Sequence, residues 1–97
     1  SAMPAYVIVD SRVTNPDGLK PYAEKVRDTL VAHGGKPVVS GANITVLEGD
    51  WTPTRMVILQ FDSVEAAKGW YNSPEYQAIL PHRVNNTDDR LLIVEGL

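Results

Sequence analysis

Hydrophobic and polar positions alternate at the start of the chain. Odd positions carry Ala5, Val7, Val9 and Val13, and even positions carry Tyr6, Ile8, Asp10 and Arg12. A period of two with β-branched and aromatic residues predicts a strand over 5–13, with one purely apolar face and one mixed face. Asn15-Pro16-Asp17-Gly18 then offers a cap, a first-turn proline and an early acidic charge, which together mark a helix start. The period changes to three and four through Leu19, Ala23, Val26, Leu30 and His33, with Tyr22 on the same flank. This predicts an amphipathic helix ending at Gly34-Gly35. Pro21 breaks a helix interior, so the regular part is expected to begin there.

Two short strand pieces are expected at Lys36–Ser40 and Asn43–Glu48, joined by a bend or bulge at Gly41-Ala42. Thr52-Pro53-Thr54 reads as a turn into a strand over 55–61. Ser63 caps a helix that carries Val64, Ala67, Trp70 and Tyr71 inward. Ser73-Pro74-Glu75 restarts it, and Tyr76, Ile79, Leu80 and Val84 continue the stripe. The last strand covers 90–95.

The order β-α-β-β-α-β with short crossovers is an α+β, ferredoxin-like arrangement: a four-stranded antiparallel sheet with its helices on one face. The other face then displays Tyr6, Ile8, Met56 and Ile58, a larger apolar patch than a monomer leaves wet. Packing two such sheets face to face about a two-fold axis buries it, so a homodimer is expected.

Composition narrows the functional classes. The chain has 97 residues and a net charge of −3, enough for one domain, expected over 4–97, and without the basic surface that nucleic acid or anionic membrane demands. It has no cysteine, which removes disulfides, thiolate metal sites and a thiol nucleophile and fits a reducing cytoplasm. Apolar runs stay far below the roughly 20 residues of a membrane helix. Ser1-Ala2 before Met3 reads as a cloning scar followed by the start methionine.

Pro4-Ala5-Tyr6-Val7-Ile8-Val9, Val46-Leu47-Glu48-Gly49-Asp50-Trp51, the stretch 66–71, Ser73-Pro74-Glu75-Tyr76 and Leu92-Ile93-Val94-Glu95-Gly96 resemble the bacterial family called domain of unknown function 1330. The resemblance covers nearly the whole chain. It implies the dimeric α/β barrel superfamily, which includes cofactor-free monooxygenases, isomerases, haem enzymes and proteins without known activity. It implies no catalytic residues. Asn85-Asn86-Thr87-Asp88-Asp89 is more acidic than the family pattern, against a basic site at that turn.

The candidate chemistry is sparse. Asp10 and Arg12 share a strand face with Tyr6, a face expected to line the barrel, and antiparallel pairing brings Gln60 opposite Tyr6 and Met56 opposite Asp10, with Glu48 able to point the same way. A carboxylate enclosed by apolar groups becomes a stronger base; the commoner alternative is an ion pair between Asp10 and Arg12 at a barrel mouth. Trp51 would stack on a planar ligand or pack its loop against a partner chain. Arg55 would meet an anionic substrate or pair with Asp50. His33 would act as a base at the cavity mouth or simply face the helix dipole. His33 and His82 lack metal-ligand spacing, His82 being the weak candidate for a haem ligand, and neither metal nor cofactor is expected. Trp70, Tyr71 and Tyr76 read as core.

Two functions follow as expectations. In the first, the domain binds or converts a small organic molecule, partly aromatic or anionic, in a cavity between sheet and helices. Asp10 and His33 would be catalytic, and Tyr6, Arg12, Gln60, Trp51 and Arg55 would bind substrate. If enzymatic, the chemistry would be of the cofactor-free monooxygenase or isomerase kind. In the second, the domain is a non-catalytic dimerisation or regulatory module whose barrel is filled by side chains.

Overall fold

A computed structural model describes residues 3–97; the cloning-scar reading of Ser1-Ala2 lies outside the described residues. The elements run β1 (Ala5–Ser11), α1 (Pro16–Ala32), β2 (Lys36–Gly41), β3 (Arg55–Phe61), α2 (Val64–Tyr71), α3 (Pro74–Val84) and β4 (Arg90–Glu95). The four strands lie in the order β2-β3-β1-β4, every neighbour antiparallel. This is the expected ferredoxin-like sheet, with the second helical segment divided in two at Ser73. Ser63 and Ser73 each accept a backbone N–H three residues on, from Ala66 and Tyr76, so each helix has its own side-chain cap.

The helices cover one face of the sheet. Val7, Val9, Leu59 and Phe61 pack there against Leu30, Ala67, Trp70, Tyr76 and Ile79. Burial along β1 alternates strictly, with Ala5, Val7, Val9 and Ser11 inside. The molecule is 16 Å through its thinnest direction, two layers and no more. Tyr6 pairs with Gln60, Ile8 with Ile58 and Asp10 with Met56, the register expected from the sequence. These even positions form the outer face with Val39, Leu92 and Val94, which are 43%, 54% and 44% exposed.

Several expectations are corrected. β1 stops at Ser11, and Val13 keeps only an isolated bridge to Thr87. α1 runs unbroken through Pro21 from Pro16. The proline removes a single bond, to a carbonyl in the exposed first turn, and a helix of this length absorbs that. The segment 43–48 is not a strand. Gly41 already pairs with Met56, so a longer β2 would need β3 to extend back through Pro53, which cannot donate to a ladder. The irregularity in β2 lies between Pro37 and Val39 rather than at Gly41-Ala42, again where a proline lacks its N–H. In α3 the inward position is Arg83, 7% exposed, while Val84 is 56% exposed.

The end of α1 shows why two glycines follow it. Gly34 has φ of +72°, its N–H reaches the Val31 carbonyl, and the Gly35 N–H reaches the Leu30 carbonyl, a Schellman turn that satisfies the last carbonyls. A side chain on Gly35 would stand 2.5 Å from the Phe61 ring, so this turn is pressed directly on the core.

Candidate functional site

Between α1 and the helix-covered face of the sheet lies a cavity of about 630 Å³. The odd positions of β1 and β3 form its floor: Val9 and Ser11, Arg55, Val57 and Leu59. Val26, Leu30 and Trp70 make it apolar at one end. Its polar groups gather at the other end, because Ser11 and Arg55 are cross-strand partners and Asp89 is the residue just before β4. Arg55 donates from Nη2 to Ser40 Oγ at 2.7 Å, which holds its guanidinium along the cavity edge. Lys20 and Arg27 of α1 complete the cationic lining with Arg83, against the single carboxylate of Asp89.

That carboxylate is already engaged. Arg83 Nη1 donates to Asp89 Oδ2 at 3.2 Å, with the two side chains only 9% and 4% exposed. The other oxygen, Oδ1, accepts the Arg12 backbone N–H at 3.0 Å. Arg83 Nε donates to the Tyr76 hydroxyl at 3.3 Å, and the Tyr76 and Tyr22 hydroxyls lie 2.9 Å apart. Burial works to lower the Arg83 pKa, but Tyr76, Tyr22 and Asp89 outweigh it and the net shift is upward, so the guanidinium stays charged. Burial pushes the Tyr22 phenol well above its ordinary range, so it remains a neutral hydroxyl. Nearby, Trp70 Nε1 donates to Thr29 Oγ1 at 3.0 Å.

The segment after α3 ties this end of the cavity together. The Asn86 carbonyl accepts from Thr14 and Asn15, the Asp88 N–H donates to the Arg12 carbonyl at 2.7 Å, and Thr87 Oγ1 donates to the Arg83 carbonyl. The acidic run 85–89 is therefore a fastening between β1, α1 and α3, and its last carboxylate neutralises a buried arginine.

Of the candidate residues named from sequence, Arg55 lines the cavity and the others do not. Tyr6, Asp10 and Gln60 occupy the outer face of the sheet, because their parity is opposite to that of the buried Val7 and Val9. The expectation that they line the space between sheet and helices is corrected. Asp10 accepts from Trp51 Nε1 at 3.3 Å, and Arg12, beyond the strand end, donates to the Thr52 carbonyl at 3.0 Å. Those bonds, with Thr54 Oγ1 donating to the Ser11 carbonyl, strap the 51–54 turn across the sheet end and replace the expected Asp10–Arg12 pair. Arg55 pairs with Ser40 instead of Asp50. His33 caps α1 and bonds Glu75 Oε1 at 2.8 Å, outside the cavity lining. His82 is exposed, and among the described residues no three His, Asp or Glu side chains gather as a metal site.

Sequence reasoning missed Tyr22 as a polar group, together with Arg83 and Asp89. Arg83 follows Tyr76 and Ile79 at spacings of three and four on the buried face of α3, a charged residue inside an apolar stripe, and that signal was available.

A single layer of helices on one side of a β2-β3-β1-β4 antiparallel sheet defines an α+β, ferredoxin-like domain. The chain belongs to the family Domain of unknown function (DUF1330), whose model matches residues 4–97. It is similar to RPA0582 from Rhodopseudomonas palustris, a protein of unknown function, at 26% identity and a TM-score of 0.70, covering 100% of this chain and 85% of that one. It is also similar to SnoaB, a cofactor-independent oxygenase from Streptomyces nogalater, at 10% identity and a TM-score of 0.68, covering 99% and 95%. A dimeric ferredoxin-like protein of unknown function from Thermobifida fusca matches at 14% identity and a TM-score of 0.66, covering 99% and 93%. A search of curated proteins gives no match. No helix among the described residues is long and apolar enough to cross a membrane.

Proposed function

We propose that the cavity binds a small, largely apolar organic anion, and that the chain works as a homodimer joined through the outer face of its sheet. The observation that carries the first part is the lining: apolar walls with Lys20, Arg27, Arg55 and Arg83 set against one carboxylate that Arg83 already neutralises. A concave, mostly apolar site with a few convergent polar groups is the usual form of a small-molecule pocket, and here the surplus charge is positive. An acid group would lie at the Ser11–Arg55 end and its hydrocarbon or aromatic body toward Leu30, Leu59 and Trp70. The outer face supports the second part: Tyr6, Ile8, Met56 and Ile58 with Leu92 and Val94 form an apolar sheet surface, and one structural relative is described as dimeric. The likeness to a cofactor-independent oxygenase is one of fold, and no residue role is taken from it.

The test compares 2-naphthoate with its neutral isostere 2-naphthamide by calorimetry, locating each with methyl NMR shifts of Val26, Leu30 and Leu59. A charge-assisted contact is worth about 1.5–3 kcal/mol, or roughly ten- to a hundredfold in affinity. The acid is expected to bind tighter by about that factor, and Arg55→Gln to narrow the gap. Equal affinities, or shifts confined to the outer face, would refute the assignment.

A further inference from the structure

Tyr76 is fully buried, at 0% exposure, and among the described residues its hydroxyl has two partners, Arg83 Nε and the Tyr22 hydroxyl. The guanidinium can only donate, so Tyr76 Oη accepts from Arg83. The Tyr76 proton then has one acceptor left within reach, Tyr22 Oη. The opposite assignment, with Tyr22 donating, would leave the Tyr76 O–H buried without an acceptor, which folded proteins avoid. The proton order is thereby set: Asp89 holds Arg83, Arg83 donates to Tyr76, and Tyr76 donates to Tyr22. Tyr22 accepts within this chain, and its own O–H is left over. Unlike Tyr76, Tyr22 lines the cavity.

We propose that Tyr22 is the ligand-facing hydrogen-bond donor of the cavity, its proton turned by the Asp89–Arg83–Tyr76 chain toward the anionic oxygen of a bound organic acid: a carboxylate, an enolate or a phenolate. This inference rests on the anion-binding reading above. Burial is the largest cause of the raised Tyr22 pKa, and it keeps the group a neutral donor across the physiological range. The chain also polarises the donor, because each hydroxyl that accepts from a cationic neighbour becomes a better donor in turn. Tyr22 is held by its ring as well, which stands edge-on to Tyr76 at 5.9 Å between centroids, with the Arg83 guanidinium carbon 5.9 Å above it. The hydroxyl therefore has one direction in which to donate, and a ligand oxygen placed there meets a fixed dipole.

The experiment uses the whole protein and the same two probes. Tyr22→Phe keeps the ring and removes the proton. It is expected to weaken 2-naphthoate by about tenfold and 2-naphthamide by less, because the bond to the charged oxygen is the stronger one. A second readout needs no variant: in protein labelled with ¹³Cζ-tyrosine, four tyrosine lines are expected. The Tyr22 line should move on adding 2-naphthoate, more than that of Tyr6 or Tyr71. If 2-naphthoate is preferred over 2-naphthamide but neither Tyr22→Phe nor the Tyr22 line responds, the Tyr22 assignment is wrong while the anion cavity stands. If the wild-type protein shows no preference for the acid, the cavity reading fails and the Tyr22 assignment with it.

Discussion

Replacing Asp89 with alanine removes one partner of a buried ion pair and leaves the other in place. The Arg83 and Asp89 side chains are 9% and 4% exposed, so water does not replace the lost carboxylate. Breaking a buried pair from one side costs about 3–5 kcal/mol, because an uncompensated charge stays in the low-dielectric interior. The same carboxylate accepts the Arg12 N–H, and losing that bond adds about 0.5–1.5 kcal/mol. Against a total stability of roughly 5–15 kcal/mol for a domain of this kind, Asp89→Ala should be close to unfolding. A double variant, Arg83→Met with Asp89→Leu, removes both charges and should recover most of the loss, since apolar replacements of a buried pair are often neutral. Urea denaturation at fixed protein concentration measures both, and fixed concentration matters because a homodimer's stability depends on it. If Asp89→Ala cost less than about 1 kcal/mol, or if the double variant were no more stable than the single one, the pair would not be the fastening described above.

Two further outcomes are expected. Ile58→Asp puts an unpaired charge on the outer face opposite Ile8 and should leave a species near 10.6 kDa by light scattering at micromolar concentration; a normal dimer would place the interface elsewhere. The hydrogen bond to His33 holds Glu75 below its ordinary pKa. A lowered carboxylate pKa contributes stability that is present above the unfolded value and is lost as pH falls through the folded one. The difference in melting temperature between the wild-type protein and Glu75→Gln should therefore exist at neutral pH and vanish below the ordinary carboxylate range; a difference that grew on acidification would contradict it.

The fold was legible because its signals are local. The alternation of β1, the three-and-four spacing of α1 and the serine-proline starts of α2 and α3 each lie within a dozen residues, and the register of β1 on β3 followed from antiparallel pairing alone. The failures come from competition between elements. Pro21 reads as a breaker, yet a helix already begun at Pro16 carries it. Residues 43–48 have strand character, but a strand exists only where a neighbour offers its backbone, and Pro53 withholds it. The site was less legible. Polar residues on β1 drew the reading to Tyr6, Asp10 and Arg12, whereas the helix-side positions of that strand are small or apolar until Ser11. The cavity's polar groups come from α1, α3 and the segment before β4, and their meeting is a tertiary fact. Arg83 alone carried a warning, as a charge in the register of Tyr76 and Ile79.

Parity along β1 and β3 also divides the labour of the sheet. Val9, Ser11, Val57 and Arg55 point into the cavity, while Ile8, Asp10, Ile58 and Met56 point to the outer face. Because the side-chain period is two, a single substitution on either strand reaches one of these surfaces and not the other. The two surfaces share only the backbone between them. The 51–54 turn is the exception, since it touches both. Trp51 bonds Asp10 on the outer side, Thr54 bonds the Ser11 carbonyl, and Arg55 follows at once into the cavity. A partner chain that packed against Trp51, which is 51% exposed, would bear on this turn and so on the position of Arg55. Coupling between dimer contact and cavity is therefore to be sought through residues 51–55, where the two faces of the sheet meet in sequence.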